Sequence, residues 1–185
     1  MDTMPLSGQP IWSFERAQRH WTGLGAPQFL DQPLTAFFAS RQCPGSAIRA
    51  AMDWALEQAS ARRAVVGGFH SPLEQSVLHL LLEARSPVVA VLARPVTDAR
   101  LKPEWETAIA KGSMAVVSCS TQAKRLTTEE ALERNELAAR LAVRIVIAHA
   151  NAGGGLARQS ASWVSRGLPV LNLAELVAGV AERPR

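Results

Sequence analysis

Two kinds of apolar pattern alternate along this chain. Short continuous apolar runs are typical of buried β-strands, whereas apolar residues spaced three or four positions apart are typical of amphipathic helices. The runs that predict strands are LTAFFAS, AVVGGF, PVVAVLA, SMAVVSCS, VRIVIAH and LPVLNL. The spaced patterns that predict helices are AIRAAMDWALEQASA, SPLEQSVLHLLLEAR, EWETAIAKG, TTEEALERNELAARLA and GGGLARQSASWVSRG, and a last short helix is expected after the sixth strand.

Strands and helices that alternate in this way predict an α/β domain. Continuous apolar strands are covered on both faces, so we expect a doubly wound, mostly parallel sheet with helices on both faces, a Rossmann-like architecture with right-handed crossovers. Residues 34–185 are expected to form this single domain. Residues 1–33 hold four prolines and the segment GLGAP, which predict an N-terminal arm with a short helical segment, SFERAQRHW, outside the core.

Two helix starts carry clear capping signals. Thr127 and Glu130 have the spacing of a capping box, with Thr128 as a competing cap, and Ser71 followed by Pro72 suits the first turn of the second helix. Glu74 in that first turn suits the positive end of the helix dipole, although it could also face a ribose.

Composition narrows the class of protein. A chain of 185 residues that is 48% hydrophobic is long enough for one packed core. No apolar run is long enough to cross a membrane and the N-terminus does not resemble a targeting segment, so we expect a cytoplasmic protein with no membrane partner. Cys43 and Cys119 cannot form a disulfide framework and lack metal-ligand spacing, and we expect neither a metal nor a cofactor.

The charge of the chain is modestly basic and carried mostly by arginine. The net charge is +4, and because three of the 20 basic residues are lysine, 17 are arginine. The planar arginine side chain suits phosphate recognition. The alternative is that an alanine-rich and arginine-rich chain reflects nucleotide bias in its genome.

Small and polar residues follow five of the predicted strands. Ligands of open parallel sheets bind at the carboxyl ends of the strands, where helix N-termini favour anions. The segments at these ends are SRQCPGS, GGFHSPLE, RPVTD, CSTQAKR and HANAGGG. We therefore expect a phosphate-binding pocket at this edge, with Phe69 or His70 as a surface for stacking a base.

The sequence lacks the common motifs of nucleotide-binding enzymes and of serine hydrolases. The sequence has no G-x-G-x-x-G after its first strand, no G-x-x-x-x-G-K-[ST] and no G-x-S-x-G. His70 and His149 lie at different strand ends, and the weak catalytic candidates are Glu74 and His70. An enzyme is thus the less favoured interpretation.

Several segments occur in the order found in one known family. FASRQ supplies Ser40 and Arg41 at a turn like Gly-Ser-Arg, with Ala39 in place of glycine, and VVAVLARPV is similar to the AVLG strand of that family, with Ala93 in place of glycine. ERNE matches an Arg-Asn-Arg helix motif at Arg134 and Asn135 but has Glu136 instead of its second arginine. With GGFHSP and the three glycines of HANAGGG, the region from about residue 34 to 173 resembles the Rossmann-like domain of the DprA/Smf DNA-processing proteins in the SLOG superfamily, in a short single-domain form.

This resemblance implies binding of single-stranded DNA or of a nucleotide at the carboxyl ends of the strands. Full-length members also dimerise and load a recombinase; a homo-oligomer is expected here, whereas recombinase loading is not carried over because the flanking domains are missing. The binding residues implied are Ser40, Arg41, Gly67, Gly68, Phe69, His70, Ser71, Arg134, Asn135, Gly153, Gly154 and Gly155. Two alternatives remain open: a nucleotide-processing hydrolase related to the LOG phosphoribohydrolases, whose threonine and glutamate are absent from NAGGGLARQ, and a nucleotide-sensing SLOG module.

Overall fold

A computed structural model describes residues 8–121 and 127–175. In this part of the chain, eight strands form one sheet in the order β1-β2-β6-β5-β4-β3-β7-β8. The strands are β1 (Trp12–Arg16), β2 (Arg19–Gly25), β3 (Thr35–Phe38), β4 (Val65–Gly67), β5 (Val88–Val91), β6 (Met114–Ser118), β7 (Arg144–Ile147) and β8 (Val170–Asn172). The helices are α1 (Gly45–Ser60), α2 (Pro72–Glu83), α3 (Pro103–Ala110), α4 (Thr128–Leu141) and α5 (Gly155–Ser165), with short 3-10 turns at Pro27–Asp31 and Val96–Asp98.

The predicted fold class is confirmed. Strands β3 to β8 pair in parallel, and two apolar layers cover the two faces of the sheet. One layer packs α1, α2 and α3 against the sheet and includes Phe37, while the other packs α4 and α5 and includes Phe38. Neighbouring residues of a strand point to opposite faces, which is why two consecutive phenylalanines serve two separate layers.

The N-terminal segment differs from the sequence expectation. Residues 12–25 form a β-hairpin that extends the sheet, because β1 pairs with β2 and β2 pairs with β6, both antiparallel. The helical segment expected over SFERAQRHW is therefore wrong, and Trp21 is completely buried in the core. The two-residue turn of the hairpin, Ala17 and Gln18, has positive φ at both positions. Such a turn usually contains glycine or asparagine, so the ordinary sequence signal for this hairpin is missing.

Strand order reverses between β3 and β7. The chain runs from β3 outward to β6 and then returns through α4 to β7 on the other side of β3. This is the place in an open parallel sheet where the loops after two neighbouring strands separate and leave a crevice. The loops that begin at Ala39 and Ala148 are the two that border it.

Two observations concern membrane spans and metal sites. Among the described helices, none has the length and apolar character needed to cross a membrane. Over residues 8–121 and 127–175, no group of three or more histidine, cysteine or acidic side chains is placed to hold a metal ion. Part of the polar loop expected over residues 121–125 and most of the helix expected after β8 lie outside the described residues.

Candidate nucleic-acid interface at the carboxyl edge of the sheet

The capping predictions at α2 and α4 are confirmed. Ser71 caps α2 by accepting a hydrogen bond from the Glu74 backbone N–H, and Thr127 caps α4 by accepting one from Glu130. In both cases the glutamate also accepts from the backbone N–H of the cap residue. These caps fix where α2 and α4 begin, and both starts lie at the edge where the parallel strands end.

The carboxylate of Glu74 fills the anion position at the start of α2. It accepts hydrogen bonds from the backbone N–H groups of His70 (2.8 Å), Ser71 (3.1 Å) and, across to the end of β3, Ala39 (3.0 Å). Glu74 is only 6% exposed. Burial raises the pKa of Glu74, while the three N–H donors and the charge of Arg134 act in the opposite direction. The loop GGFHSP thus binds an anion that belongs to the protein itself, and its His70 and Ser71 N–H groups are already occupied.

Arg134 occupies the centre of this edge. It projects from α4, is 3% exposed, and its Nε atom is buried with no hydrogen-bond partner among the described residues. Burial lowers the pKa of Arg134, while the carboxylates of Glu74 and Glu130 raise it. A cation this deeply buried normally has a specific electrostatic role, since its desolvation is costly.

Gly68 makes room for this arginine. A Cβ atom at residue 68 would lie 2.3 Å from Nε of Arg134 and 2.9 Å from its Cδ. Only a residue without a side chain allows such an approach of loop and guanidinium. The structure therefore brings together Gly68 and Arg134, two predicted binding residues from separate segments of the sequence.

Two cavities meet at Arg134 and His70. The first, the strand-end groove, has a volume of about 450 Å³ and is lined by residues from the β3 end, the β4–α2 loop and the start of α4. Its lining includes Arg41, His70, Ser71, Arg134 and Asn135. Five of the predicted binding residues therefore share one groove.

The second, the connector cavity, is bordered by the segment that links β5 to α3. It has a volume of about 200 Å³ and is lined by Gly68, Phe69, His70, Gln75, Leu92, Ala93, Arg94, Ala99, Arg100, Leu101, Lys102, Trp105 and Arg134. The binding residues predicted from the sequence include no cation of this segment. The signal available was a cluster of basic residues, Arg94, Arg100 and Lys102, after one strand end.

A third cavity, of about 160 Å³, also borders Arg134, but its wall contains the carboxylates of Glu130 and Glu133 as well as Arg19. Those carboxylates repel anions, so this cavity is the least suited of the three to phosphate.

The pKa of His70 is lowered by burial and by the cations around it. Although part of the side chain remains exposed, desolvation together with the positive charges of Arg134, Lys102 and Arg94 lowers its pKa to about 4. At neutral pH the ring is therefore uncharged. It can contribute a flat, neutral surface and hydrogen bonds to a ligand, and the positive charge of the site comes from the arginines and the lysine.

Phe69 does not offer the stacking surface expected from the sequence. It has a positive φ of 53° and its side chain is 3% exposed, packed in the core layer with α1 to α3. A Cβ at Gly67 would lie 3.2 Å from the carbonyl oxygen of Phe37 and 3.4 Å from the Phe69 ring, so the ring packs directly beside this glycine. The conformation of the backbone at residue 69 turns the ring inward, and no local pattern reveals that direction.

Ser40 connects the two loops that border the crevice. Its hydroxyl accepts a hydrogen bond from the backbone N–H of Asn151 (3.0 Å), and its own N–H donates to the carbonyl of His149 (2.9 Å). Ser40 thus holds the β3 end against the β7 end.

The three glycines of HANAGGG lead into α5. Gly154 donates its N–H to the carbonyl of Asn151, and Arg158 donates to the carbonyl of Gly153, which has a φ of 71°. Gly155 lies against Leu132 of α4. None of the three belongs to the lining of the strand-end groove or of the connector cavity. Gly155 allows α5 to pack closely against α4, whereas Gly153 and Gly154 shape the loop before α5.

Glu136, which departs from the expected Arg-Asn-Arg motif, has a packing role. It accepts hydrogen bonds from Trp163 Nε1 (2.7 Å) and from two nitrogens of Arg166 (2.9 and 3.0 Å). The neighbouring Asn135 also reaches α5, donating from Nδ2 to Gln159. Residues 135 and 136 therefore join α4 to α5, and in this chain an arginine at position 136 could not accept those hydrogen bonds.

Comparison with known proteins supports the assignment of the fold and the family. The family model described as DNA recombination-mediator protein A matches residues 20–174. The chain belongs to the DNA recombination-mediator protein A family. This confirms the resemblance seen in the sequence, and the match begins within β2, so it includes part of the hairpin. No curated protein sequence matches the chain.

Solved structures give the same picture of the fold. DNA processing protein A from Helicobacter pylori, whose structure is described for its single-stranded DNA binding mode, has a TM-score of 0.71 at 14% identity, covering 90% of this chain and 81% of that one. DprA from Streptococcus pneumoniae has a TM-score of 0.70 at 15% identity; 91% of this chain is covered, but only 64% of the pneumococcal one. The molybdenum cofactor binding protein from Rippkaea orientalis is more distant, with a TM-score of 0.52 at 13% identity, covering 80% of this chain and 84% of that chain.

Proposed function

We propose that this protein binds single-stranded DNA, through its phosphates, in the strand-end groove. The observation that carries the proposal is the buried Arg134 at the carboxyl edge, placed between two cavities in a chain of the DNA recombination-mediator protein A family. The relative from Helicobacter pylori is described as binding single-stranded DNA, which supports the same ligand here.

Side chains, rather than loop N–H groups, hold the phosphates in this proposal. The donors at the start of α2 are occupied by Glu74, so the groove offers the guanidinium of Arg41, the edge of His70 and the hydroxyls of Thr127 and Thr128. Arg41 is exposed and contacts phosphate from the surface of the groove, whereas Arg134 supplies a positive charge from within. Interactions of this type position a strand without reading its sequence.

Nucleotide hydrolysis with Glu74 as the acid–base group is not favoured. Both oxygens of its carboxylate accept backbone hydrogen bonds, and the group is buried. A carboxylate that holds three N–H donors in place acts as part of the scaffold.

Fluorescence anisotropy on a 5′-hydroxyl oligothymidine at two salt concentrations tests the proposal. We expect affinity to fall steeply with salt, and Arg41→Ala to reduce the log–log salt slope by about 0.7 for each phosphate of the strand that residue 41 no longer neutralises. Arg63→Ala is the matched control, since Arg63 is exposed between α1 and β4 at the opposite edge of the sheet. Absence of binding at low salt, or an equal loss in Arg63→Ala, would contradict the proposal.

A further inference from the structure

The connector cavity concentrates positive charge from one short segment. Arg94, Arg100 and Lys102 lie within nine residues of one another and all line the same cavity, and Arg134 of α4 is a fourth cation in the lining. None of the described side chains that line this cavity is acidic. The lowered pKa of His70 comes in part from Arg94, Lys102 and Arg134, which places three of these charges close to a single ring.

Two buried N–H groups at this cavity have no acceptor. Nε1 of Trp105 and Nε of Arg134 are both buried without a hydrogen-bond partner among the described residues, and both residues line the cavity. Buried donors in native proteins are nearly always paired, so an unpaired one calls for a ligand or water. Both donors lie in the wall of the cavity rather than on its surface, and the charged groups that line the cavity beside them are Arg94, Arg100 and Lys102.

The charge of the cavity distinguishes between two kinds of phosphate. A phosphodiester within a strand carries one negative charge, whereas a phosphomonoester carries about −1.5 to −2 at pH 7. Several cations in a cavity whose described lining has no carboxylate favour the more highly charged group, because charge-assisted hydrogen bonds strengthen with the charge of the acceptor. Part of the remaining wall is apolar, with Leu92, Leu101 and the indole of Trp105, and suits the nucleoside that carries the phosphate.

We propose that the connector cavity binds the phosphomonoester of a nucleotide, either a free mononucleotide or the 5′-phosphate at the end of a DNA strand. If the ligand is the 5′-phosphate of a DNA strand, this inference rests on the proposed function, because the strand in the groove is then anchored by its terminus. If the ligand is a free mononucleotide, the inference is independent of the proposed function. Arg134 and His70 line both cavities and place the end of the strand beside the groove that holds its following phosphates.

The test compares two oligothymidines that differ only in a 5′-phosphate or 5′-hydroxyl, both labelled at the 3′ end, together with thymidine monophosphate and thymidine in calorimetry. We expect the phosphorylated member of at least one pair to bind about tenfold more tightly. A preference seen only with the oligonucleotides identifies the strand end as the ligand, and one seen only with the monophosphate identifies the free nucleotide. Equal binding within both pairs would overturn the proposal, while leaving the groove and its salt dependence intact.

Variants test whether the preference for the phosphorylated ligand arises at the connector cavity. Arg100 and Lys102 are exposed, so replacing both with alanine should not unfold the protein, which thermal melting verifies. In this double variant we expect the phosphate preference to fall to about one, whereas in Arg63→Ala the preference should persist. Arg41→Ala should weaken both oligonucleotides and keep their ratio. A preference that survives the Arg100→Ala/Lys102→Ala double replacement would contradict the assignment to this cavity.

Discussion

The α carbon of Gly68 and the guanidinium of Arg134 approach so closely that no side chain fits between them. An added Cβ would lie 2.3 Å from Arg134 Nε, well inside van der Waals contact. One residue comes from the loop after β4 and the other from the first half of α4, which are joined only by the fold. The position of the buried cation at the carboxyl edge thus depends on the absence of a side chain 66 residues earlier in the chain.

Gly68→Ala should displace Arg134 and disturb both cavities. We expect the free energy of unfolding to fall by about 1–3 kcal/mol, the usual cost of overpacking a buried site, and DNA affinity to fall as well. Urea unfolding and anisotropy measure the two effects. Gly45→Ala is the control, because a Cβ at that exposed position meets nothing within 4 Å. Unchanged affinity in Gly68→Ala would contradict the role of Arg134.

Glu74→Gln should destabilise the loops at the strand ends. The amide nitrogen cannot accept a hydrogen bond, so one or more of the N–H groups of Ala39, His70 and Ser71 would lose their partner. We expect a loss of about 1–3 kcal/mol in the free energy of unfolding. Glu83→Gln, at an exposed position of α2, is the matched control. Full stability in Glu74→Gln would show that the carboxylate is not the anion that organises this edge.

The stability of the protein should depend on pH through His70. The unfolded chain binds a proton at His70 near pH 6.5, whereas the folded protein does so only at about pH 4. Because the unfolded state binds more protons in this window, stability should fall as the pH is lowered from 6.5 towards 4.

His70→Gln should remove that contribution, so the difference in unfolding free energy between pH 7 and pH 5 should shrink in the variant. Thermal or urea unfolding at both pH values measures it, and His79→Gln, on the exposed face of α2, is the control. A pH dependence identical to that of the unmodified protein would rule out a contribution from His70.

Glu136→Ala should weaken the packing of α4 against α5. The change leaves Trp163 Nε1 and the guanidinium of Arg166 without their shared acceptor, and we expect a loss of about 1–3 kcal/mol in unfolding free energy. Hydrogen bonds from Arg166 and Trp163 lower the pKa of Glu136 against the opposing effect of burial. Its stabilising contribution is therefore present above pH 4.5 and declines as the pH falls below that value.

Glu57→Ala, at an exposed position of α1, serves as the control for Glu136→Ala. Equal stability of the two variants at neutral pH would contradict the packing role of Glu136.

The order of strands and helices from residue 35 to 172 follows from the sequence, because periodicity and capping are local properties. The apolar runs mark the strands, and Ser71 and Thr127 mark where α2 and α4 begin. The matches at Arg134 and Asn135 also lie within one short motif, which is why the family could be recognised from the sequence.

Only the tertiary structure decides which way a side chain points and which residues from distant parts of the chain come into contact. Whether the Phe69 side chain faces a ligand or the core depends on the backbone conformation at that residue. Whether the N–H groups of GGFHSP are free to bind a phosphate depends on Glu74, whose carboxylate accepts their hydrogen bonds in the folded protein. The hairpin at residues 12–25 is stable because β2 pairs with β6, almost a hundred residues later in the chain. Long-range pairing and the burial of charge are properties of the assembled sheet, so the cations around Arg134 come together only when the strands end side by side.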